Sequence, residues 1–174
     1  MTLLRTLVLP ALMITVFAFS AVDRASAEEA KDKKTTVSKA EKKISKALAD
    51  LSDEDRKLAV AQRFCVVNPD SRLGSMGTPV KAMVSGKPVF VCCKGCVDKA
   101  VKGGSATLRT AKKLATVTAT LAELPAKERA AAETQKYCAV ANTSFLGSMG
   151  KPIKLELDGK PVYLCCEGCE GRAK

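Results

Sequence analysis

The sequence contains no histidine and no tryptophan, and aromatic residues make up only 4% of it. Without histidine the usual general base near neutral pH is missing, and so is the commonest metal ligand. Ser-His-Asp and Cys-His catalysis are excluded, as are zinc sites that use histidine. Any metal site must be built on sulfur, carboxylate or backbone oxygen. So few aromatics also argue against a large aromatic core. Acidic residues are in the minority, 18 against 29 basic ones, which leaves a formal net charge of +11. That balance suits an anionic partner or plain solubility and does not choose between them. No carboxylate pair or nucleophile–base pair reads as an active site, so enzymatic activity is not expected.

What the chain does have is cysteine, eight in 174 residues. The length suits one or two small domains. The N-terminus reads as a processing segment. Arg5 supplies a positive start, and Leu7 to Ala18 is almost wholly apolar, interrupted by Pro10 and Thr15. Ala25-Ser26-Ala27 then gives the small-x-small pattern of a signal-peptidase site. The apolar stretch is shorter than the roughly 20 residues a membrane span needs. No cysteine stands at the cleavage site, so a lipid anchor is not supported. Cleavage is expected after Ala27, giving a periplasmic or secreted chain with no membrane span. Residues 28–37 are polar and charged and read as a flexible tether.

The remainder is one unit written twice. Shifted by 73 residues, Cys65 falls on Cys138, Cys92 on Cys165, Cys93 on Cys166 and Cys96 on Cys169. Leu73-Gly74-Ser75-Met76-Gly77 falls on Leu146-Gly147-Ser148-Met149-Gly150. Of the 36 positions from Cys65 to Ala100, 19 are identical to their partners, which identifies an internal duplication. Two copies do not make a solenoid, so each is expected to stand nearly alone. Modules this small bury little and need a metal or disulfides.

The periodicity predicts an α+β fold. Ile44, Leu48 and Leu51 recur at helical spacing within Val37–Asp50. Ser52 with Asp55 resembles a capping box and opens a helix over Asp53–Arg63. In the second copy Pro125 opens a helix that reaches Lys136. Residues 106–122 form a linking helix striped by Leu108, Leu114, Val117 and Leu121. Ile153, Leu155 and Leu157 alternate with Lys154 and Glu156, then Asp158-Gly159 precedes Val162-Tyr163-Leu164, which predicts a tight hairpin. The first copy matches it with Val80, Ala82 and Val84, the turn Ser85-Gly86, and Val89-Phe90-Val91. Each hairpin runs into Cys-Cys-x-Gly-Cys. A short helix over Val97–Lys102 follows in the first copy and is almost absent in the second. The expected division is a signal peptide at 1–27, the tether at 28–37, helices with the first four-cysteine module at 38–103, and linking helices with the second at 104–174.

Each copy has one cysteine, 26 residues, a Cys-Cys pair, two residues and a last cysteine. A hairpin brings its ends together, so Cys65 can approach Cys92, Cys93 and Cys96, and Cys138 can approach Cys165, Cys166 and Cys169. Four thiolates make a closed tetrahedral site for Zn2+ or a soft ion such as Cu+. Three cysteines within one turn are awkward to pair in disulfides. An exported protein nevertheless meets an oxidising compartment, where even cysteine counts usually mean disulfides. A disulfide-stapled interaction module therefore stays open. So does a thiol-disulfide oxidoreductase, since Cys93-x-x-Cys96 has redox spacing, although the thioredoxin-like βαβ context is missing.

The pattern of one cysteine, a hairpin and Cys-x3-Cys, at Cys92 to Cys96 and Cys165 to Cys169, resembles the TRASH domain and its YHS-type relatives. The resemblance covers about 36 residues of each copy. It implies small treble-clef-like modules that serve heavy-metal sensing, trafficking or resistance. It also implies ligand roles for Cys65, Cys92 and Cys96, and for Cys138, Cys165 and Cys169, and a metal-transport or resistance protein as partner. Cys93 and Cys166 are additional to the three-cysteine pattern, and no histidine completes a YHS signature.

Weaker features read more simply. Met76 and Met149 can assist Cu(I) as thioethers, but a turn with a buried methionine filling a gap is the simpler expectation. The Gly-Ser-Met-Gly segment lacks the ending of a phosphate loop. Lys31 to Lys46 is interleaved with Asp32 and Glu41 and carries no aromatics, so it reads as a solvated face rather than a nucleic-acid site.

Overall fold

The computed structural model describes residues 39–174, and these fall in one compact unit. The signal segment, the tether and the start of the first helix lie outside the described residues. Among the described residues no helix is long and apolar enough to cross a membrane.

Two helices precede each hairpin. The first, α1 (39–49), buries Ile44 and Ala47, with Leu48 packed against the core. α2 (Asp53–Gln62) starts where Ser52 Oγ accepts the Asp55 backbone N–H at 3.2 Å. Only half of the expected capping box forms. The Asp55 carboxylate turns to Lys81 Nζ, 2.8 Å away, and so ties the helix start to the hairpin. Strands β1 (Val80–Val84) and β2 (Lys87–Val91) pair antiparallel, with Val80 opposite Val91 and Val84 opposite Lys87. Ser85 and Gly86 take φ of 49° and 74°, the two positive values that a primed turn requires. A single 3-10 turn, Lys94–Cys96, follows.

The two helices expected after the first cysteine cluster are one element broken in the middle. α3 (Val97–Ala122) is interrupted at Gly104, whose φ of 47° and ψ of −122° are not helical. Glycine alone takes such angles cheaply. Thr107 Oγ1 donates to the Ala100 carbonyl at 2.8 Å, which gives a partner to an acceptor near the break. α4 (Ala126–Gln135) begins after Pro125. β3 (Ile153–Leu157) and β4 (Lys160–Leu164) repeat the first hairpin, with Asp158 and Gly159 at φ of 50° and 72°. A second 3-10 turn, Glu167–Cys169, leads into the four-residue α5 (Glu170–Ala173).

The duplication extends further back than the cysteines. Ile44 in α1 corresponds to Val117 in α3 under the same 73-residue shift, and each packs on a glycine of the same segment. A β-carbon on Gly74 would lie 3.0 Å from the Ile44 carbonyl oxygen, and one on Gly147 would lie 3.2 Å from that of Val117. The repeated unit is therefore helix, helix, hairpin and cysteine turn.

The expectation that each copy stands nearly alone is not met. One continuous apolar cluster takes Leu73, Val89 and Phe90 from the first copy and Leu146, Tyr163 and Leu164 from the second, with Leu114 and Leu121 of α3 between. Arg63 donates to Glu133 at 2.7 Å, and Lys136 donates to Asp70 at 2.7 Å and also to the Pro69 carbonyl. Pooling two small cores is how modules of this size bury enough apolar surface to fold.

Candidate metal centre

Cys65 sits in the loop after α2, where its N–H donates to the Ser71 carbonyl at 3.0 Å. The Asn68 backbone N–H in turn donates to Cys65 Sγ at 3.4 Å. Cys92 follows β2 directly, and the 3-10 turn returns Cys96 to the same place. The sulfurs of Cys65, Cys92 and Cys96 all lie within 4.8 Å of one another. Cys93 falls outside that set of three but is 3.9 Å from both Cys92 and Cys96. The second copy gathers Cys138, Cys165 and Cys169 in the same way. Cys166 stands 3.9 Å from Cys165 and 4.0 Å from Cys169. Cys65, Cys92, Cys138, Cys165 and Cys169 are buried, while Cys93, Cys96 and Cys166 are half-buried.

Two glutamines hold these sites in shape, Gln62 buried and Gln135 half-buried. Gln62 Nε2 donates to the Phe64 and Phe90 carbonyls at 2.7 and 2.6 Å, and its Oε1 accepts the Phe90 N–H at 2.9 Å. Phe90 is two residues before Cys92, so α2 fixes the strand that delivers the cysteine pair. Gln135 does the same for Tyr137 and Tyr163 at 2.8, 2.6 and 2.8 Å. Sequence reasoning passed over both residues. The signal was present, because Gln62 falls on Gln135, but it lies just outside the strongly matching stretch that begins at Cys65. Arg172 was also missed: its guanidinium is 3.8 Å from Cys169 Sγ, where it offsets negative charge on sulfur.

Proton affinities within each cluster diverge. Burial pushes the Cys92 thiol up to about 12, helped by its hydrogen bond to Cys65 and the charge there. Burial likewise pushes Cys165 up to about 12, with hydrogen bonds to Cys138, Cys169 and Cys166 adding to it. Burial also acts to raise Cys138, but backbone N–H donors from Ala141, Cys165 and Val140 outweigh it and bring the thiol down to about 7. Cys93 is lowered by hydrogen bonds from the Cys96 and Cys92 thiols. The second cluster is thus arranged around one readily formed thiolate, with neighbouring thiols donating to it.

Chemically, such a cluster is a soft, oxygen-free and nitrogen-free donor set. The sulfur separations of 3.8–4.0 Å within each Cys-Cys-x-Gly-Cys turn match the edge of about 3.8 Å of a tetrahedron with metal–sulfur bonds of about 2.3 Å. Both cysteine clusters could hold a metal ion. Backbone N–H donors to the sulfurs are the kind of outer contact that orients thiolate ligands.

One expectation about this region is overturned. Met76 and Met149 do not fill gaps in the core; they are 62% and 64% exposed. The Gly-Ser-Met-Gly turn directs its leucine inward, with Leu73 and Leu146 fully buried, and leaves the methionine outside.

Comparison of the chain with protein-family models, with curated proteins and with solved structures finds no match.

Proposed function

We propose that the protein is an exported heavy-metal-binding protein that buffers or delivers a thiophilic ion, zinc or Cu(I), with one site per copy. The observation that carries this reading is the repetition. The same three thiols converge twice in one chain, each time with a fourth thiol 3.9–4.0 Å from two of them. Cys65, Cys92 and Cys96 with Cys93 form one donor set, and Cys138, Cys165 and Cys169 with Cys166 form the other. A hairpin joined to a cysteine turn at the start of a helix is also consistent with a treble-clef-like module, and hence with the TRASH-type resemblance. The ion is cargo in this reading, and a metal-transport or resistance protein is the partner class.

Native mass spectrometry of protein purified without added metal tests it, together with thiol titration with and without a chelator. The expected result is two ions per chain and thiols that react only after chelation. Eight freely reactive thiols and no bound ion would overturn the reading. Four disulfides would favour a stapled interaction module, and reduction of insulin would favour an oxidoreductase.

A further inference from the structure

Hydrophobic side chains left in water by a small protein are informative when they recur at a fixed place beside a chemical site. Among the described residues, Met76 and Met149 are the most exposed large apolar side chains, and they are related by the 73-residue shift. Their presentation is built into the backbone. Gly74 and Gly77 take φ of 90° and 117°, and Gly147 and Gly150 take 84° and 114°, so the equivalent glycines share their positive φ. Met149 lines an open cavity of about 410 Å3 with Cys165, Cys166, Glu167, Gly168, Lys151 and Ile153. Met149 and the half-buried Cys166 therefore line the same open space. From Cys166 the next sulfurs, Cys165 and Cys169, are 3.9 and 4.0 Å away.

A thioether is a neutral, soft donor. It binds Cu(I) and similar monovalent ions, whereas zinc prefers thiolate, imidazole and carboxylate. We propose that Met149 with Cys166, and by equivalence Met76 with Cys93, form a surface loading site for a monovalent soft ion of the Cu(I) and Ag(I) class, which then passes to the buried thiols. This rests on the metal-binding reading above and narrows its cargo. The transfer is ligand exchange without change of oxidation state. The bond from the ion to the thioether sulfur breaks as bonds to the cysteine sulfurs form, and each thiol that takes the ion releases its proton to water. Lys151 and Glu167 at the same cavity carry opposite charges, so neither sign dominates the approach.

The test is a titration of the purified full-length protein, carrying 13C-methyl methionine, with Ag(I) and separately with Zn(II). Formation of silver–thiolate bonds is followed by ultraviolet absorption. Met83 is the internal control, since it is 53% exposed on β1 but has Glu156 at its place in the second copy. The expected result is that the Met149 and Met76 methyl signals shift with Ag(I) and not with Zn(II), while Met83 stays in place. In a Met76→Leu, Met149→Leu double variant, with unchanged circular dichroism, silver–thiolate absorption should reach the same end point more slowly. Silver–thiolate bonds forming with silent Met149 and Met76 methyls, or with Met83 shifting alongside them, would overturn the loading site and leave the metal-binding reading standing. No thiolate bonds with either ion would overturn both.

Discussion

Arg63 and Lys136 occupy the same position in the two copies, and each extends its charge into the other copy. Both end a helix at positive φ, 63° and 65° with ψ of −41° and −49°, in a tight turn where the next residue's N–H, Phe64 or Tyr137, donates to the Gln62 or Gln135 carbonyl at 2.7 Å. Arg63 reaches Glu133 in the second copy, and Lys136 reaches Asp70 in the first while lying 4.8 Å from the centre of the Phe64 ring. The sharp bend at each helix end sends a long cation across the junction.

The Arg63–Glu133 pair is mostly buried on both sides, at 25% and 23% side-chain exposure, and Arg63 Nε has no partner among the described residues. Glu133→Ala leaves that guanidinium without its counter-charge. Because the pair keeps some solvent, the expected cost is about 1–2 kcal/mol rather than the larger value of a fully enclosed pair. Replacing both residues, Arg63→Met with Glu133→Leu, should recover most of the loss, since it removes the desolvated charge as well. Urea unfolding of the single and double variants measures this. A double variant weaker than Glu133→Ala would show that the pair contributes more than its desolvation costs.

Asp70 provides the pH-dependent half of the junction. Its carboxyl is held below the usual carboxylate range by the hydrogen bond from Lys136 and by the lysine charge. A depressed carboxyl contributes stability above its unfolded value of about 3.9, and the contribution disappears as pH falls through the folded value. The stability difference between the parent protein and Asp70→Asn should therefore be constant near neutrality and should close below about pH 4. Asp70 is exposed, so the difference should be small and should shrink with added salt. Chemical denaturation across that range, at two ionic strengths, checks the sign.

The strands and most helices were legible in the sequence because their signals are local. Ile153, Leu155 and Leu157 alternate strictly, and Asp158-Gly159 offers the φ values that a two-residue turn needs. The true length of the repeat was less legible. Ile44 and Val117 make equivalent contacts on Gly74 and Gly147, yet an isoleucine aligned with a valine carries little identity. Asp55 looked like a cap partner because spacing cannot show that Lys81 lies closer to its carboxylate. The cysteines could be assigned to two clusters from the hairpins alone. The split into three converging thiols and one additional thiol was implied by the family resemblance alone, since the 3-10 turn that produces it leaves no periodic trace. Met76 was misjudged because an apolar side chain is placed inside by default, and only the turn geometry puts it outside.

Gln62 is 5% exposed and uses both ends of its amide, so an isosteric change separates its roles. Gln62→Glu retains the acceptor for the Phe90 N–H but cannot donate to the Phe64 and Phe90 carbonyls while ionised. Leaving buried acceptors unsatisfied beside a buried charge should cost about 2–4 kcal/mol at neutral pH. Protonation restores one donor, so the loss should be partly recovered on acidification. Gln62→Leu has no such recovery. Thermal unfolding of both variants at two pH values distinguishes them, and equal losses at both pH values for the glutamate variant would contradict the hydrogen-bond account.

Gly74 and Gly77 separate backbone strain from close packing, because they share the first requirement and differ in the second. Both take positive φ, 90° and 117°, so alanine at either position is strained, at about 1–3 kcal/mol. Around Gly77 nothing lies within 4 Å of a would-be β-carbon. At Gly74 that carbon would meet the Ile44 carbonyl oxygen at 3.0 Å and Ile44 Cγ2 at 3.1 Å. The oxygen belongs to the backbone of α1, so relief requires the helix itself to move away from the Leu73–Gly77 turn. Gly74→Ala should therefore destabilise by at least about 1 kcal/mol more than Gly77→Ala. It should also raise hydrogen exchange along residues 39–49, while Gly77→Ala should leave that segment unchanged. Equal destabilisation with no change in α1 would mean that strain alone accounts for Gly74, and that the helix is not held by its contact with the turn.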